Sequence, residues 1–158
     1  MTFRRPTPWL ALAVFLLASA VYLITLTPTV PFWDSGEFIA VSYILGIPHP
    51  PGTPLYVLLG RIATLVPIGS IAQRVNGFSA LTSALAVAFS YLVILRLNRL
   101  VLARETARAP AADGGHMVSE DHRKEWIAQI GALIGAAVLA FSDNFWENSI
   151  EAEVYASA

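Results

Sequence analysis

Two groups of ionisable residues lie between the apolar stretches of this chain and could carry acid–base chemistry. In the first group, Asp34 and Glu37 are three residues apart, and His49 follows in the proline-rich segment PHPPGTP, residues 48–54. A carboxylate there could accept a proton, and the histidine could shuttle a proton or bind a phosphate. No second metal ligand lies in the histidine's own loop, so the sequence does not predict a metal site.

A structural interpretation of the same residues stays open. Asp34 precedes the apolar run SGEFIAVSYIL, from Ser35 to Leu45, and Glu37 comes three residues later. This spacing is a capping-box pattern, in which the two side chains satisfy the first N–H groups of a helix. His49 could likewise be a turn residue. Spacing alone does not decide between capping and catalysis.

The second group, Asp143, Glu147, Glu151 and Glu153, lies near the end of the chain. If this segment is helical, the first three carboxylates stack four residues apart, which costs roughly 0.2–0.5 kcal/mol per pair. A cation, a metal, substrate hydroxyl groups or solvent could offset that repulsion.

The composition indicates that these groups belong to a protein whose surroundings are a lipid bilayer. Of the 158 residues, 56% are hydrophobic and 13% are charged, which predicts an all-α integral membrane protein. Apolar runs predict transmembrane helices at 9–27, 78–97 and 126–142. A cleaved signal peptide is the alternative for the first run, and Gly131 and Gly135 give the third the small-xxx-small spacing of helix packing.

The basic residues predict the orientation of the chain. Arg61 and Arg74 lie between the first two spans, and the other eight precede span one or lie between spans two and three: Arg4, Arg5, Arg96, Arg99, Arg104, Arg108, Arg123 and Lys124. By the positive-inside rule, the N-terminus and a polar linker at 98–125 are cytoplasmic. The loop 28–77 and the segment 143–158 then share the outer side, which places both acidic groups together.

The outer loop is too apolar for a solvated loop, and it divides into two predicted interfacial helices around the proline-rich turn. These are Ser35 to Leu45 and Leu55 to Val66. Arg61 and Arg74 are the predicted cations of this side, and either could grip a phosphate. Snorkelling of Arg61 to the interface explains it equally well. Cysteine is absent, which excludes a disulfide framework, and a net charge of -1 gives no reason to expect a nucleic-acid partner.

Several strings in order resemble one membrane family. They are FWDSGEF at 32–38, HPPGTPLY at 49–56, Gly60-Arg61, Arg74-Val75-Asn76 and EAEVY at 151–155. They are similar to the motifs of a bacterial family formerly catalogued as a domain of unknown function. That family is grouped with the protein O-mannosyltransferase-like enzymes of the GT-C glycosyltransferase superfamily, and the resemblance covers about residues 9–158.

The resemblance implies transfer of a sugar, mannose above all, from a polyprenyl-phosphate donor to a Ser/Thr hydroxyl or a glycan, with inversion. Asp34 would be the catalytic base and Glu37 would orient it. The remaining implied residues bind substrate: Trp33, His49, Arg61, Arg74, Glu151, Glu153 and Tyr155. No cofactor and no metal are implied, since metal is not generally required in the O-mannosyl branch.

Enzymes of this superfamily carry more transmembrane helices, so the chain is expected to be an N-terminal fragment, inactive alone if later helices wall the donor cavity. The expected location is a bacterial plasma membrane. A non-catalytic membrane subunit that binds a lipid-linked sugar or partner helices is the alternative function. A transporter is disfavoured, because Arg96 is the only charge inside the predicted spans and lies near one end.

Overall fold

The computed structural model describes residues 7–31, 33–50, 52–108 and 117–154, and its regular elements there are all helices. The predicted all-α fold is confirmed. The helices are α1 (Thr7–Ile24), α2 (Ser35–Ile44), α3 (Pro54–Thr64), α4 (Ile71–Arg108), α5 (Met117–Ala140) and α6 (Asp143–Ser149).

Three long helices form the body of the fold, with α1 and α5 both packed against α4. Small side chains four residues apart line the contact: Ala80 and Ala84 on α4, and Ala128, Ala132, Ala136 and Ala140 on α5. Small residues let helix backbones approach closely where lipid supplies no hydrophobic drive between helices. The predicted packing role of the α5 glycines is confirmed, because a Cβ at Gly131 would lie 3.0 Å from Asn98 Nδ2.

The outward faces of these helices are apolar, as a bilayer requires. Leu17, Phe89 and Val138 are among the large hydrophobic residues that stay exposed on α1, α4 and α5. The α1 helix and the part of α4 up to Thr106 are long and apolar enough to cross a membrane. A third crossing is formed if α5 from Glu120 and α6, bent by 67° at their junction, count as one span. The chain is therefore a membrane protein with two or three candidate spans.

The helices extend further than the hydrophobic runs predicted. The sequence placed a linker at 98–125, whereas α4 continues to Arg108 and α5 starts at Met117. The residues of α4 beyond the apolar run are mostly Leu, Arg, Ala and Glu, which favour helix without burial. Arg99 also forms an ion pair with Glu125 and donates to Thr7 Oγ1 at 2.9 Å, which joins α1, α4 and α5. The residues 109–116 that remain between the helices lie outside the described ranges.

The short helices gather at the other end of the bundle, which we call the loop end and define as α2, α3, α6 and their connections. There Tyr22 donates its hydroxyl to the carbonyl of Ala140 at 2.9 Å, linking α1 to α5. Asn76 of α4 donates to the carbonyls of Thr27 (2.8 Å) and Thr29 (3.2 Å). Thr27 and Thr29, which follow α1, are therefore fixed on α4.

The α2 and α3 helices pack as a hairpin whose closest approach is at a glycine. A Cβ at Gly60 would lie 2.9 Å from Ser42 Cβ and would overlap Ser42 Oγ. The turn between the helices passes through Gly52, whose φ of 76° is in the left-handed region that favours glycine. These contacts place the start of α2 and the proline-rich turn side by side.

Candidate active site

The carboxylate of Glu37 binds His49 with both of its oxygens. Its Oε1 accepts the backbone N–H of His49 at 2.7 Å, and its Oε2 lies 2.7 Å from the ring Nδ1. On the other side of the ring, Nε2 lies 3.9 Å from Asp34 Oδ2. The imidazole thus stands between two carboxylates that come from the first turn of α2 and the residue before it.

The capping-box interpretation is wrong for this structure. Asp34 precedes α2, but its side chain makes no capping hydrogen bond, and its backbone has φ −78° and ψ −8°. An N-cap residue usually has an extended backbone, which this helical conformation does not provide. Glu37 is committed to His49 instead of returning to the N–H of Asp34. The Asp34 carboxylate, with 60% of the side chain exposed, is left available.

The contact between Glu37 and His49 shifts both protonation equilibria. The hydrogen bond from the His49 ring lowers the pKa of Glu37 below 4.5, and the backbone hydrogen bond adds to this. The same side-chain hydrogen bond raises the pKa of His49 above 6.5, with smaller contributions from the charges of Glu37, Asp34 and Glu153. An ionised carboxylate only accepts hydrogen bonds, so Nδ1 carries the proton. In the neutral ring, Nε2 is then the free acceptor that faces Asp34.

A ladder of aromatic contacts ties His49 to the bundle. The His49 ring lies 6.0 Å from that of Phe38, Phe38 lies 5.4 Å from Tyr56, and Tyr56 lies 5.6 Å from Phe78. Phe38 and Tyr56 are buried in the small core beneath the hairpin. Packed aromatic rings leave few rotamers open, so this ladder fixes the direction of the imidazole.

Residues that follow α6 complete the site from the far end of the chain. The backbone N–H of Glu153 lies 3.3 Å from Ser79 Oγ, which is also 3.2 Å from the hydroxyl of Tyr56. Burial, and next the charge of Glu151, raise the pKa of Glu153 above 4.5. Weaker effects come from Asp34, which raises it, and from His49, which lowers it. Glu153 therefore lies within electrostatic range of Asp34 and His49.

The helical stack expected for the second acidic group is shorter than its spacing indicated. The α6 helix ends at Ser149, so Asp143 and Glu147 share it and Glu151 does not. Glu151 is half-buried, and burial followed by the charge of Glu147 raises its pKa above 4.5. Tyr155, the last residue of the predicted site, lies outside the described residues.

The two arginines of this end are engaged with backbone. Arg74 donates to the carbonyls of Thr64 (2.8 Å), Ile68 (3.1 Å) and Gly69 (2.9 Å), which closes the end of α3 onto the start of α4. Arg61 donates to the carbonyl of Tyr43 at 2.6 Å, and its guanidinium lies 5.6 Å from the Tyr43 ring centre. Among the described residues, neither arginine forms an ion pair with a carboxylate. Their substrate-binding roles stay predictions.

Trp33, directly before Asp34, has an unusual backbone conformation and is almost fully exposed. Its φ is 65°, uncommon for a residue with a side chain, and the residue is 92% exposed. A strained and exposed tryptophan beside ionisable groups offers a flat surface on which a sugar ring or a lipid can lie.

Within the described residues, one set of side chains meets the geometry of a metal site. Asp34, Glu37 and His49 each offer a ligand atom, and these atoms lie within 4.8 Å of one another. The arrangement has two chemical capacities. It can accept a proton at Asp34 or at His49 Nε2, and it can hold a cation between them.

Comparison with known proteins identifies the family. The model of the "Protein O-mannosyl-transferase TMEM260 N-terminal domain" family matches residues 34–158, from Asp34 through the second acidic group. The chain belongs to this family. Protein O-mannosyl-transferase TMEM260 of Mus musculus is 34% identical over 146 residues, which cover 92% of the chain and 17% of the mouse protein. The tmem260 protein of Dictyostelium discoideum is 33% identical over 84 residues, covering 51% of the chain and 10% of that protein.

The chain thus spans less than a fifth of the length of these TMEM260 relatives. No solved structure matches it. Both relatives are eukaryotic proteins, and the bacterial plasma membrane stays a prediction.

Sequence reasoning missed the residues that assemble the site. Tyr56 lies at the end of the HPPGTPLY string, so its motif position was a signal for a role in the site. Ser79 lies inside an apolar run with nothing in its neighbourhood to mark it, and only the tertiary fold shows its contact with Glu153.

Proposed function

We propose that this chain is the N-terminal portion of a membrane glycosyltransferase of the GT-C type, and that it transfers a sugar, mannose above all, from a polyprenyl-phosphate donor. The acceptor is a Ser/Thr hydroxyl of a protein or a glycan. The observation that carries the proposal is the exposed Asp34 carboxylate, which makes no capping hydrogen bond and lies 3.9 Å from His49 Nε2. Membership of a family named for protein O-mannosyl transfer supports it.

In the proposed reaction, Asp34 acts as the general base. The acceptor hydroxyl oxygen attacks the anomeric carbon of the sugar, and its proton passes to Asp34 Oδ2. The bond between the anomeric carbon and the phosphate oxygen breaks on the opposite face, so the configuration inverts. The bonding electrons leave with the polyprenyl phosphate, whose negative charge rises in the transition state.

Glu37 acts by positioning, because both of its oxygens are engaged with His49. It holds Nδ1–H and directs Nε2 towards the reaction space beside Asp34. His49, whose pKa is raised by this contact, would stabilise the departing phosphate when protonated. Glu151 and Glu153 would accept hydrogen bonds from sugar or acceptor hydroxyl groups, and Trp33 would stack on a sugar ring.

The membrane supplies the donor. The α2–α3 hairpin leaves large apolar side chains exposed beside the site, including Ile44, Leu55 and Ile62. Such a face is typical of helices that lie in the interfacial layer, where a polyprenyl chain enters and its phosphate stays at the surface. We place this hairpin on the non-cytoplasmic face, because six of the eight basic residues in the described ranges lie in the second half of α4 or the first turns of α5, away from the hairpin.

The test is sugar transfer by the full-length protein in membranes, from polyprenyl-phosphate mannose to endogenous acceptors, with Asp34→Asn compared against Asp143→Asn. Asp143 is a carboxylate of the same end that is not part of the cluster. We expect Asp34→Asn to lower the transfer rate by roughly 10²–10⁴-fold at equal expression, the usual contribution of a general base. Asp143→Asn should transfer at close to the parental rate.

The two outcomes separate the proposed enzyme from its alternative. If Asp34→Asn transfers as fast as the parent, Asp34 is not the base. If the parent transfers no sugar from several lipid-linked donors, a non-catalytic subunit that binds lipid-linked sugar becomes the better description.

A further inference from the structure

The two outer segments of the chain meet at one hydroxyl group of α4. Ser79 Oγ lies 3.2 Å from the hydroxyl of Tyr56, which belongs to α3. It also accepts the backbone N–H of Glu153 at 3.3 Å and donates to the carbonyl of that residue at 3.4 Å. Tyr56 and Ser79, which we call the hydroxyl pair, are 3% and 1% exposed. The backbone of Glu153 is therefore joined to α3 and α4 at a buried point.

These contacts use every hydrogen-bonding position of the Ser79 hydroxyl. A serine hydroxyl has one proton to donate and two lone pairs with which to accept. Its proton goes to the carbonyl of Glu153, so the two donors are the N–H of Glu153 and the hydroxyl of Tyr56. Burial raises the pKa of Tyr56 to about 12, which keeps that hydroxyl protonated and able to donate. The direction of each bond in the hydroxyl pair follows from this assignment.

Apolar contacts hold the chain on both sides of Glu153. Ala152 is fully buried with Phe38 and Tyr56 in the small core beneath the hairpin, and Val154 packs against that core. Because its backbone bonds to Ser79 and both neighbours are packed, the place from which the Glu153 side chain starts is fixed. The hydroxyl pair thus determines where its carboxylate can reach.

The carboxylate held in this way lies beside the proposed base. The charge of Asp34 raises the pKa of Glu153 and that of His49 lowers it, so all three groups are within electrostatic range. An ionised carboxylate accepts hydrogen bonds and repels a phosphate. Glu153 therefore suits hydroxyl and N–H groups of the acceptor better than the phosphate of the donor.

We propose that Tyr56 and Ser79 are positioning residues, whose hydroxyl pair holds the backbone of Glu153 so that its carboxylate binds the acceptor beside Asp34. Both hydroxyls are buried, so they act through Glu153 and not by touching substrate. The role of the acceptor rests on the proposed function. The docking of Glu153 on the hydroxyl pair does not depend on any reaction.

The first test follows hydrogen–deuterium exchange in the purified full-length protein in detergent, in the peptide that contains Glu153. Ser79→Ala should speed exchange of the Glu153 N–H by roughly 2–10-fold, the effect of losing one hydrogen bond. Alanine favours helix more than serine does, so α4 should stay intact. Ser83→Ala is the control, because its buried hydroxyl lies four residues further along α4 and has no hydrogen-bond partner. This variant should exchange at the parental rate.

The second test measures the kinetics of transfer from polyprenyl-phosphate mannose to a Ser/Thr-containing peptide. Glu153→Gln should raise the KM for the peptide by roughly 10–100-fold, the effect of losing a hydrogen bond to a charged group, and should leave the KM for the donor unchanged. Ser79→Ala should raise the same KM by a smaller factor. The double variant should match Glu153→Gln within about twofold, because Ser79 acts through a carboxylate that is already absent.

Tyr56→Phe removes the second hydroxyl and keeps the buried ring. It should change the exchange rate and the KM for the peptide in the same direction as Ser79→Ala, by smaller factors, because Ser79 keeps its bonds to Glu153. Parental values in both assays would overturn the role of the hydroxyl pair.

Three other results would also overturn the proposal. One is a Ser79→Ala variant whose exchange at Glu153 equals that of Ser83→Ala. Another is a double variant in which the two losses multiply, as they do for independent sites. The third is a KM for the donor that rises together with the KM for the peptide, since that pattern indicates general loosening of the site.

The two assays fail separately. If the protein transfers no sugar but exchange at Glu153 depends on Ser79, the docking of Glu153 stands and the glycosyltransferase is lost. If transfer occurs and depends on Asp34, while Ser79→Ala matches Ser83→Ala in both assays, the proposed function stands and the positioning role is lost.

Discussion

Asn76 offers a sharp test of how the loop end is assembled. Its side chain is fully buried, and its Nδ2 donates to the carbonyls of Thr27 at 2.8 Å and Thr29 at 3.2 Å. A hydrogen bond of this kind contributes about 0.5–1.5 kcal/mol net. Asn76→Ala removes two, so we expect the free energy of unfolding to fall by about 1–3 kcal/mol.

Ser83 provides a matched control on the same helix. Its hydroxyl is buried and has no hydrogen-bond partner, so Ser83→Ala removes a polar group without breaking a hydrogen bond. We expect this variant to unfold within about 0.5 kcal/mol of the parent. The measurement is reversible unfolding of each purified variant in mixed micelles, followed by tryptophan fluorescence.

Activity adds a second readout to the same pair of variants. The carbonyls that Asn76 holds belong to the segment that carries Asp34 away from α1, so Asn76→Ala should also lower sugar transfer at temperatures where it stays folded. Equal stabilities for Asn76→Ala and Ser83→Ala would refute the argument that Asn76 fixes this segment.

Three further results are expected at this end of the molecule. Gly60→Ala should lower the free energy of unfolding by about 1–3 kcal/mol, because the added methyl group overlaps Ser42. In a double-mutant cycle, adding Ser42→Gly should recover much of this loss. Additive effects of the two substitutions would contradict the contact. Arg74→Lys keeps the charge but loses the hydrogen bonds to three carbonyls, so we expect the free energy of unfolding to fall by about 1–2 kcal/mol while the KM for donor is unchanged. A raised KM with parental stability would instead indicate that Arg74 binds substrate. The raised pKa of His49 stabilises the folded state; this contribution is complete below pH 6.5 and is lost as the pH rises through the pKa of His49 in the folded protein. The lowered pKa of Glu37 also stabilises the folded state; this contribution is present above pH 4.5 and is lost as the pH falls through the pKa of Glu37 in the folded protein. Ring resonances of His49 should therefore titrate above 6.5 in the protein without added metal, and a midpoint that Glu37→Gln leaves unmoved would count against the pair.

The sequence predicted the long helices well because hydrophobic length is a strong signal in a membrane protein. The apolar runs at 9–27 and 78–97 correspond to α1 and to the middle of α4. Their true ends were not visible in hydropathy. The α4 helix continues to Arg108 through residues that favour helix although several are charged, and hydropathy does not detect such an extension.

The chemistry of the site was less accessible to the sequence. Asp34 and Glu37 were recognised as candidates, but a capping box and a functional pair have the same spacing. Only the fold shows that both carboxylate oxygens of Glu37 bind His49, which lies twelve residues later in the chain, in the proline-rich turn. The orientation inferred from basic residues did predict that Glu153 and Asp34 share one side, and the structure brings them within electrostatic range.

The contact of Glu153 with Ser79 has a consequence for biosynthesis. The half of the site that carries Asp34 and His49 is made early, whereas Glu153 follows α5 and α6 in the chain. During synthesis the first outer loop is therefore complete before Glu153 has been added to the chain. Only after α5 has inserted can Glu153 dock on Ser79. This order of synthesis delays completion of the site until the bundle that supports it is in place.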